Sequence, residues 1–450
     1  MSNPSAVLEE KPAVAPRNVG ILGGIQGRID DKLPSWFTDQ QRAGWTQFES
    51  LPMPSRTDQA WRFSNVSLLD LAPYSVAPAL PDADAHDILE RSIDLDDVSG
   101  RLVFADDHFL ERDVISEKLR KAGVIFQPLE RAMLEHEELF RQHFMSQPAG
   151  LGSAKFAALH EAFVRSGTFL YVPRGVEVDL PLETFHWLHS ENAAIFPHTL
   201  VVAEELSKVT LLEHFRSTDR SRAGFACGVN DLIVGPGAKV TYICAQDWSD
   251  QTLSIQINAT TVARDATALN LHLGLGGKYS RLESLSRLNG EGAHSDMLAV
   301  SIGDDAQEFD ARTLQDHASP HTNSDLLFKN ALNGRARNTF GGLIRVEPHA
   351  HFTDAYQKVR NLLLSDDAEA NSMPGLEIMA DNVKCSHGAT SGQIDDDEMF
   401  YMLARGIPAS VARELLVGGF LNEVLERLPD AILTAKLEEL IAEKFARRGR

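Results

Sequence analysis

After Gly167 the sequence becomes a long series of short apolar segments separated by turns, and this series predicts an all-β body. The segments, such as residues 168–173, 239–246 and 253–258, are rich in β-branched and aromatic residues, with Gly, Asp, Asn and Pro between them. Strands that recur about every 10 to 14 residues predict a sandwich, a barrel or a β-helix across residues 166–394. Several segments are apolar at consecutive positions, which favours the β-helix slightly, because its strands are partly apolar on both faces.

The residues before this region predict helices instead. Apolar residues recur at helical spacing in three segments, residues 39–51, 82–93 and 129–145. A fourth helix is predicted to begin at Ser153, whose side chain is suited to cap it, and to end at Phe163. We therefore expect an α-rich N-terminal domain at residues 31–165. It is preceded by an expected flexible tail, residues 1–30, that is rich in Pro, Ala and Gly.

Helical spacing returns at the C-terminal end, in residues 395–450. The acidic residues 395–398 favour a helix N-terminus, since negative charge stabilises that end of a helix. Two further amphipathic helices are predicted at residues 409–428 and 431–448. Such helices either pack on the chain's own core or form a docking surface for another protein, and the pattern leaves both alternatives open.

The composition excludes two classes of partner. A formal net charge of −21 and a pI near 5.2 argue against nucleic acid, whose backbone requires clustered Lys and Arg. No apolar run approaches the roughly 18 to 20 residues that cross a bilayer, so no membrane partner is expected. The N-terminus lacks the apolar stretch of a secretion signal, and we expect a cytoplasmic protein.

Cys385 and His387 are the strongest candidates for metal ligands. They lie two residues apart at the end of a strand pattern, so both side chains leave the same face of an extended segment. Thiolate and imidazole together suit zinc, iron and iron–sulfur species. Two ligands make only half a site, which another chain, a substrate or water must complete. The alternative is structural, with Cys385 a small buried hydrophobe and His387 a hydrogen-bonded strand end.

Other motifs are weaker. The segment LGLGGKYS, residues 273–280, fails as a phosphate-binding loop because His272 and Tyr279 stand where Gly and Ser or Thr are required, and a turn with close backbone approach fits it better. His349 and His351 form an HxH pair of the kind found in cupin enzymes, but the expected Glu does not follow, and surface or turn positions fit them better. No serine or cysteine stands in a nucleophile motif.

Several ordered motifs resemble the SufB/SufD family of iron–sulfur cluster assembly proteins. They are WRFS at 61–64, YVPRGVEVDLPLETF at 171–185, RNLLLS at 360–365, VKCSHGAT at 383–390 and FYMLARGI at 400–407. The resemblance covers nearly the whole chain and is densest after residue 350. Gly388 follows the histidine where SufB typically has Glu, so the motif is similar to the branch of the family that pairs with SufB.

The resemblance implies a right-handed parallel β-helix, of class α+β, flanked by N-terminal and C-terminal helical domains. It also implies a non-catalytic scaffold that pairs with SufB through the β core and binds the ATPase SufC through the C-terminal helices. An iron–sulfur cluster or iron would lie transiently at the interface with SufB, with His387 as the functional ligand and Cys385 as the weaker one. The isolated chain would hold no cofactor, and whether two copies pair when SufB is absent is left open.

Two alternatives remain open at this point. One is a metal-dependent, cupin-like β-barrel enzyme that uses His349 and His351. The other is the paralogue SufB itself, which Gly388 and the presence of only 3 cysteines make the weaker interpretation.

Overall fold

The computed structural model describes residues 20–26, 28–113 and 115–448. Most of the expected flexible tail, residues 1–19, lies outside the described residues. The rest of that segment is packed onto the protein, because Ile21 is buried in an apolar cluster and the buried Arg28 donates to the carboxylate of Asp107 at 2.8 Å. The structure therefore differs from a flexible tail at these residues.

Helices lie at both ends of the described chain. Those before the β body are α1 (Ser35–Ser50), α2 (Asp82–Glu90), α3 (Glu117–Lys121), α4 (Leu129–Glu135), α5 (Glu137–His143) and α6 (Ala154–Phe163). Those after it are α7 (Asp396–Ala404), α8 (Ala409–Leu425) and α9 (Ala431–Arg448). The segment predicted as one helix at 129–145 forms two, α4 and α5. Ser153 precedes α6 but does not cap it, because its hydroxyl donates to the buried carboxylate of Glu283 at 2.6 Å.

The strands are short and numerous. They are β1 (Gly100–Ala105), β2 (His108–Asp113), β3 (Ile125–Pro128), β4 (Gly167–Val172), β5 (Leu182–Leu188), β6 (Ala193–Ile195), β7 (His198–Ala203), β8 (Lys208–Ser217), β9 (Gly224–Val234), β10 (Lys239–Asp247), β11 (Leu253–Val262), β12 (Thr267–Gly274), β13 (Tyr279–Leu288), β14 (His294–Gly303), β15 (Glu308–His317), β16 (Asn323–Leu332), β17 (Arg337–Val346), β18 (Asp354–Leu363), β19 (Glu369–Ile378) and β20 (Lys384–Gly392). Three of them, β1, β2 and β3, fall inside the segment expected to be α-rich.

The strands form two ten-stranded sheets. One has the order β2-β1-β5-β8-β10-β12-β14-β16-β18-β20, and the other runs from β19 through β17, β15, β13, β11, β9, β7 and β4 to β3, with β6 beside β9. From β7 to β20 successive strands alternate between the two sheets, and each strand pairs in parallel with its neighbours in its own sheet, which is the arrangement of a β-helix. The predicted α+β architecture, a parallel β-helix flanked by helices, is confirmed.

Tight turns allow the coils of the β-helix to stack. The segment considered as a phosphate-binding loop, residues 273–280, is the connection between β12 and β13. A Cβ atom on Gly276 would lie 2.1 Å from the carbonyl oxygen of Trp248, so only glycine permits this approach. The prediction of a turn with close backbone approach is confirmed.

A buried ionic network attaches the N-terminal domain to the β body. The indole of Trp61 donates to the carbonyl oxygen of Gly152 at 2.9 Å, and the guanidinium carbon of Arg281 lies 3.7 Å from its ring centroid. Arg281 in turn pairs with Asp310 at 2.6 Å and with Glu283 at 2.7 Å. These buried charges compensate one another. The WRFS motif at residues 61–64 therefore contributes to packing of the N-terminal domain on the β body.

Three buried polar side chains join α6 to the second sheet. His160 Nδ1 lies 2.8 Å from the carbonyl oxygen of Cys227 and must donate to it, so its Nε2 accepts from Nδ1 of His198 at 3.2 Å. His198 Nε2 lies 3.6 Å from the carboxylate of Asp231. Burial lowers the pKa of His160 to about 4 and the pKa of His198 well below its usual value, so both histidines are neutral at neutral pH. Burial also raises the pKa of Asp231 to about 7.

The C-terminal helices differ from one another in packing. Val417 and Leu421 of α8 and Leu437 of α9 are buried against apolar side chains of the first sheet, including Leu271 and Leu298. No residue of α7 is buried. Of the C-terminal helices, α8 and α9 therefore pack on the chain's own core, whereas α7 does not. Among the described residues, no helix has both the length and the hydropathy needed to cross a bilayer.

Buried His160 makes a destabilising contribution in mild acid, opposite in sign to the contribution of Asp231, whose pKa is raised on folding. Below about pH 6.5 the unfolded chain binds a proton at His160, whereas the folded chain does not until the pH approaches about 4. Between pH 7 and 5 this linkage costs the folded state about 2 kcal/mol at His160. Denaturant unfolding of the parent and of His160→Gln at both pH values measures it. The parent should lose about 2 kcal/mol more than the variant, and equal losses would contradict the assignment.

Candidate functional site

The β-helix ends in a coil whose interior is open. Within the described residues β19 pairs only with β17, and β20 pairs only with β18, so no further coil covers this end. In the preceding coil Ile344 and Val346 point inward and are fully buried. Their register partners on β19, Leu376 and Ile378, are 37% and 41% exposed. The last coil therefore presents to solvent apolar positions that the preceding coil buries.

Cys385 and His387 lie on this open face. The register places Cys385 opposite Ala355 and His387 opposite Gln357, and both partners on β18 are fully buried inside the β-helix. Because the register is parallel and side chains alternate along a strand, Cys385 and His387 also point inward. The structure thus brings the two predicted site residues together on one face.

The two side chains differ in what they can bind. Cys385 is half-buried against Ala355 and Val346, and burial, reinforced by the carboxylate of Asp354, raises the pKa of its thiol. The thiolate, which is the form that binds metal, is therefore disfavoured. His387 is exposed, and a Cβ atom on the neighbouring Gly388 would meet no atom within 4 Å. His387 is the more accessible ligand, and the space beside it is open.

The structure supplies no complete metal site around this pair. Among the described residues, no group of three or more His, Cys, Asp or Glu side chains could hold a metal ion. His387 and Cys385 are two ligands, whereas tetrahedral iron and zinc sites use four. Additional ligands for any metal ion here would have to come from outside the described part of the chain.

The HxH pair does not form a barrel site. His349 and His351 lie in the turn between β17 and β18, where His349 is exposed and His351 Nδ1 accepts from the backbone N–H of Asp381 at 3.2 Å. The prediction of turn positions for these histidines is confirmed. The cupin-like alternative is wrong, because the fold is a β-helix and neither histidine lies on a strand.

Sequence reasoning missed the exposure of α7. Leu403 of this helix is 44% exposed, and its two aromatic residues, Phe400 and Tyr401, are 71% and 55% exposed. Two adjacent aromatic residues project in different directions from a helix, so one packing surface cannot cover both. That adjacency was the available signal that this helix lacks a partner within the chain.

A second surface lies between α8 and α9. A groove of about 310 Å³ opens there, and its lining includes Leu415, Gly418, Asn422, Glu438 and Phe445. Leu415 is 54% exposed. The buried side of these helices packs on the β body, so the groove is on the side that remains accessible.

Comparisons with known proteins identify the family. A family model described as the SufBD protein N-terminal region matches residues 25–184, and one described as the SUF system FeS cluster assembly SufBD core domain matches residues 186–420. The chain belongs to the SufB/SufD family of iron–sulfur cluster assembly proteins. The core match extends from β5 to α8 and therefore includes the open coil and the pair Cys385 and His387.

Individual members of the SufB/SufD family align along most of the chain. The iron–sulfur cluster assembly protein SufD of Bacillus subtilis is 29% identical over 419 residues, which cover 91% of this chain and 94% of the relative. SufB of the same organism is 26% identical over 408 residues, covering 88% of this chain and 86% of the relative. The chain is thus similar to both branches and has the higher identity with SufD.

Proposed function

We propose that this chain is a SufD-type scaffold subunit of the SUF complex, which pairs with SufB through the open coil and binds the ATPase SufC through its C-terminal helices. The observation that carries the proposal is the uncovered interior of the last coil, where Leu376, Ile378 and His387 are exposed together. Apolar residues that a fold elsewhere buries are typical of a surface that another protein covers.

The open backbone edges support pairing as well. The outer edges of β19 and β20 carry N–H and C=O groups with no neighbouring strand in the described part of the chain, and a coil from another chain can supply the missing hydrogen bonds. SufB has the same family architecture and offers such a coil. A second copy of this chain offers it too, through a twofold-symmetric contact, so homodimers would form in the absence of SufB.

Pairing by this surface is tested with Ile378→Asp, which places a charge on the apolar face. We expect at least about tenfold weaker copurification with SufB, because a carboxylate at a dry interface remains uncompensated. The melting temperature should stay near the parental value, since Ile378 is 41% exposed in the free chain. Ile93→Asp is the matched control, because Ile93 is 61% exposed at a turn remote in sequence. Equal SufB recovery from both variants would refute pairing at this face.

Pairing also completes the half-site. His387 and Cys385 would face the opposing chain, which brings further ligands, so that iron or a nascent cluster is held between the subunits as cargo. The exposed imidazole of His387 is the principal ligand from this side. Cys385 contributes less, because the raised pKa of its thiol opposes formation of the thiolate. In this proposal the chain positions ligands and is not itself a catalyst.

The role of His387 is tested by His387→Ala. The exposed side chain can be removed without loss of packing, so complex formation and SufC ATPase activity should remain, while cluster-dependent enzyme activity in cells falls at least about tenfold. Cys385→Ala should have a smaller effect. His349→Ala is the matched control, because this histidine is also exposed but lies in a turn. Parental cluster assembly in His387→Ala would show that the imidazole has no role.

The groove between α8 and α9 is the proposed SufC contact. We expect Leu415→Glu to abolish SufC copurification and to leave the β body folded, since Leu415 is 54% exposed and buried residues of α8 are untouched. Leu134→Glu, at an exposed leucine of α4, serves as the control. SufC recovery in a pull-down, with circular dichroism for folding, measures both variants. Full recovery of SufC with Leu415→Glu would show that SufC binds at another surface.

A further inference from the structure

Gln357 lies directly inside His387 along the axis of the β-helix. The two residues are register partners on β18 and β20, and neighbouring strands lie about 4.8 Å apart. Gln357 is fully buried, and its Oε1 is a buried acceptor with no hydrogen-bond partner among the described residues. Buried amide oxygens are almost always paired, so this unpaired one requires an explanation.

The orientation of the Gln357 amide follows from its neighbours. Nε2 of Gln315 donates to the carbonyl oxygen of Tyr356 at 3.1 Å, and a carbonyl oxygen can only accept. The remaining amide atom of Gln315, Oε1, is therefore the one that faces Gln357 and accepts from its Nε2 at 3.3 Å. This network assigns nitrogen and oxygen in both amides, so the unpaired atom of Gln357 is an oxygen.

We infer the direction of the free oxygen of Gln357 from the position of its amide nitrogen. Gln315 lies on β15, in the coil that precedes the one containing Gln357. Its Oε1 accepts from Nε2 of Gln357, so the amide nitrogen of Gln357 faces that preceding coil. In a planar amide the oxygen lies on the other side of the carbon, away from this coil. The next coil outward is β19 and β20, and the inward donor in register there is the imidazole of His387.

We propose that Gln357 is the positioning residue for His387: when the exposed imidazole rotates inward, Oε1 of Gln357 accepts the N–H of one ring nitrogen and so directs the lone pair of the other toward the metal. This inference rests on the ligand role of His387 proposed above. Histidines that bind metals usually donate their second ring N–H to a carbonyl or carboxylate oxygen, which fixes both tautomer and ring orientation. The contact would also satisfy the buried oxygen.

The experiment reads the tautomer of His387 directly. Full-length chain labelled with ¹⁵N-histidine is examined by long-range ¹H–¹⁵N correlation at about pH 8, where imidazole is neutral, and the His387 signals are those lost in His387→Ala. We expect one tautomer to dominate in the parent. In Gln357→Met, which keeps the shape but removes the acceptor, the tautomer ratio should shift about fivefold or more. Gln357→Glu, which retains an acceptor, should preserve the dominant tautomer.

Asn361→Leu is the matched control, because Asn361 is an inward amide of the same strand. Its Oδ1 accepts from Asn330 at 2.8 Å, and its Nδ2 donates to Ser372 at 3.2 Å and Ser391 at 3.1 Å. This substitution disturbs the last coil without touching the acceptor beneath His387, so the tautomer ratio should remain parental. An unchanged ratio in Gln357→Met, or an equal shift in Asn361→Leu, would overturn the proposal.

A second readout separates this inference from the proposed function. Co²⁺ binding to the complex with SufB, followed by its visible absorption, should weaken about tenfold or more in Gln357→Met and recover in Gln357→Glu. If the tautomer shifts while Co²⁺ affinity and cluster assembly stay parental, the Gln357 contact stands and the ligand role of His387 fails. If His387→Ala abolishes assembly while Gln357→Met leaves the tautomer unchanged, the ligand role stands and the positioning contact fails.

Discussion

The structure depends on hydrogen bonding between successive parallel coils. Each strand from β8 to β18 has a parallel neighbour on both sides, so the backbone groups of one coil are satisfied only by the coils before and after it. Such a stack has two ends, and each end must be covered in some other way. At the N-terminal end the antiparallel strands β2 and β3 form the outer edges, and the N-terminal helices cover the coil. The described residues provide no equivalent for β19 and β20.

The N-terminal residues are held to the β body by polar interactions as well as by apolar packing. The network around Arg281 and the chain from His160 to Asp231 both connect N-terminal residues with strands that are distant in sequence. Each places charged or titratable groups where water cannot reach, so each requires the correct partner in the correct place. Such contacts favour one arrangement of the helices on the β body over arrangements that apolar packing alone would allow. At the open end one inward polar atom, Oε1 of Gln357, has no hydrogen-bond partner among the described residues.

Sequence reasoning predicted the body of this fold better than its ends. Turn residues and apolar strands indicated the all-β region, and Asp395 caps α7 where the acidic residues suggested. The strands β1 to β3 were missed, because they become strands only by pairing with β5 and β4. The spacing of Cys385 and His387 correctly predicted one shared face. It did not reveal that the face is open, since exposure depends on the absence of a coil that the same strand pattern could equally have included.

Position along the β-helix determines what an inward histidine can do. His272 and His317 also lie on inward positions of their strands, where His272 is partly buried and His317 fully buried, and burial lowers the pKa of each to about 4. Both ring nitrogens of His317 are occupied by the hydroxyls of Thr322 and Ser324, each at 2.8 Å, so no lone pair remains for a metal. His387 has the same inward direction, but it lies on the last coil, which no other coil covers within the described residues. The inward face thus gives a fixed polar neighbour beneath the imidazole, and the open end gives access from outside. A metal held between two chains requires both features.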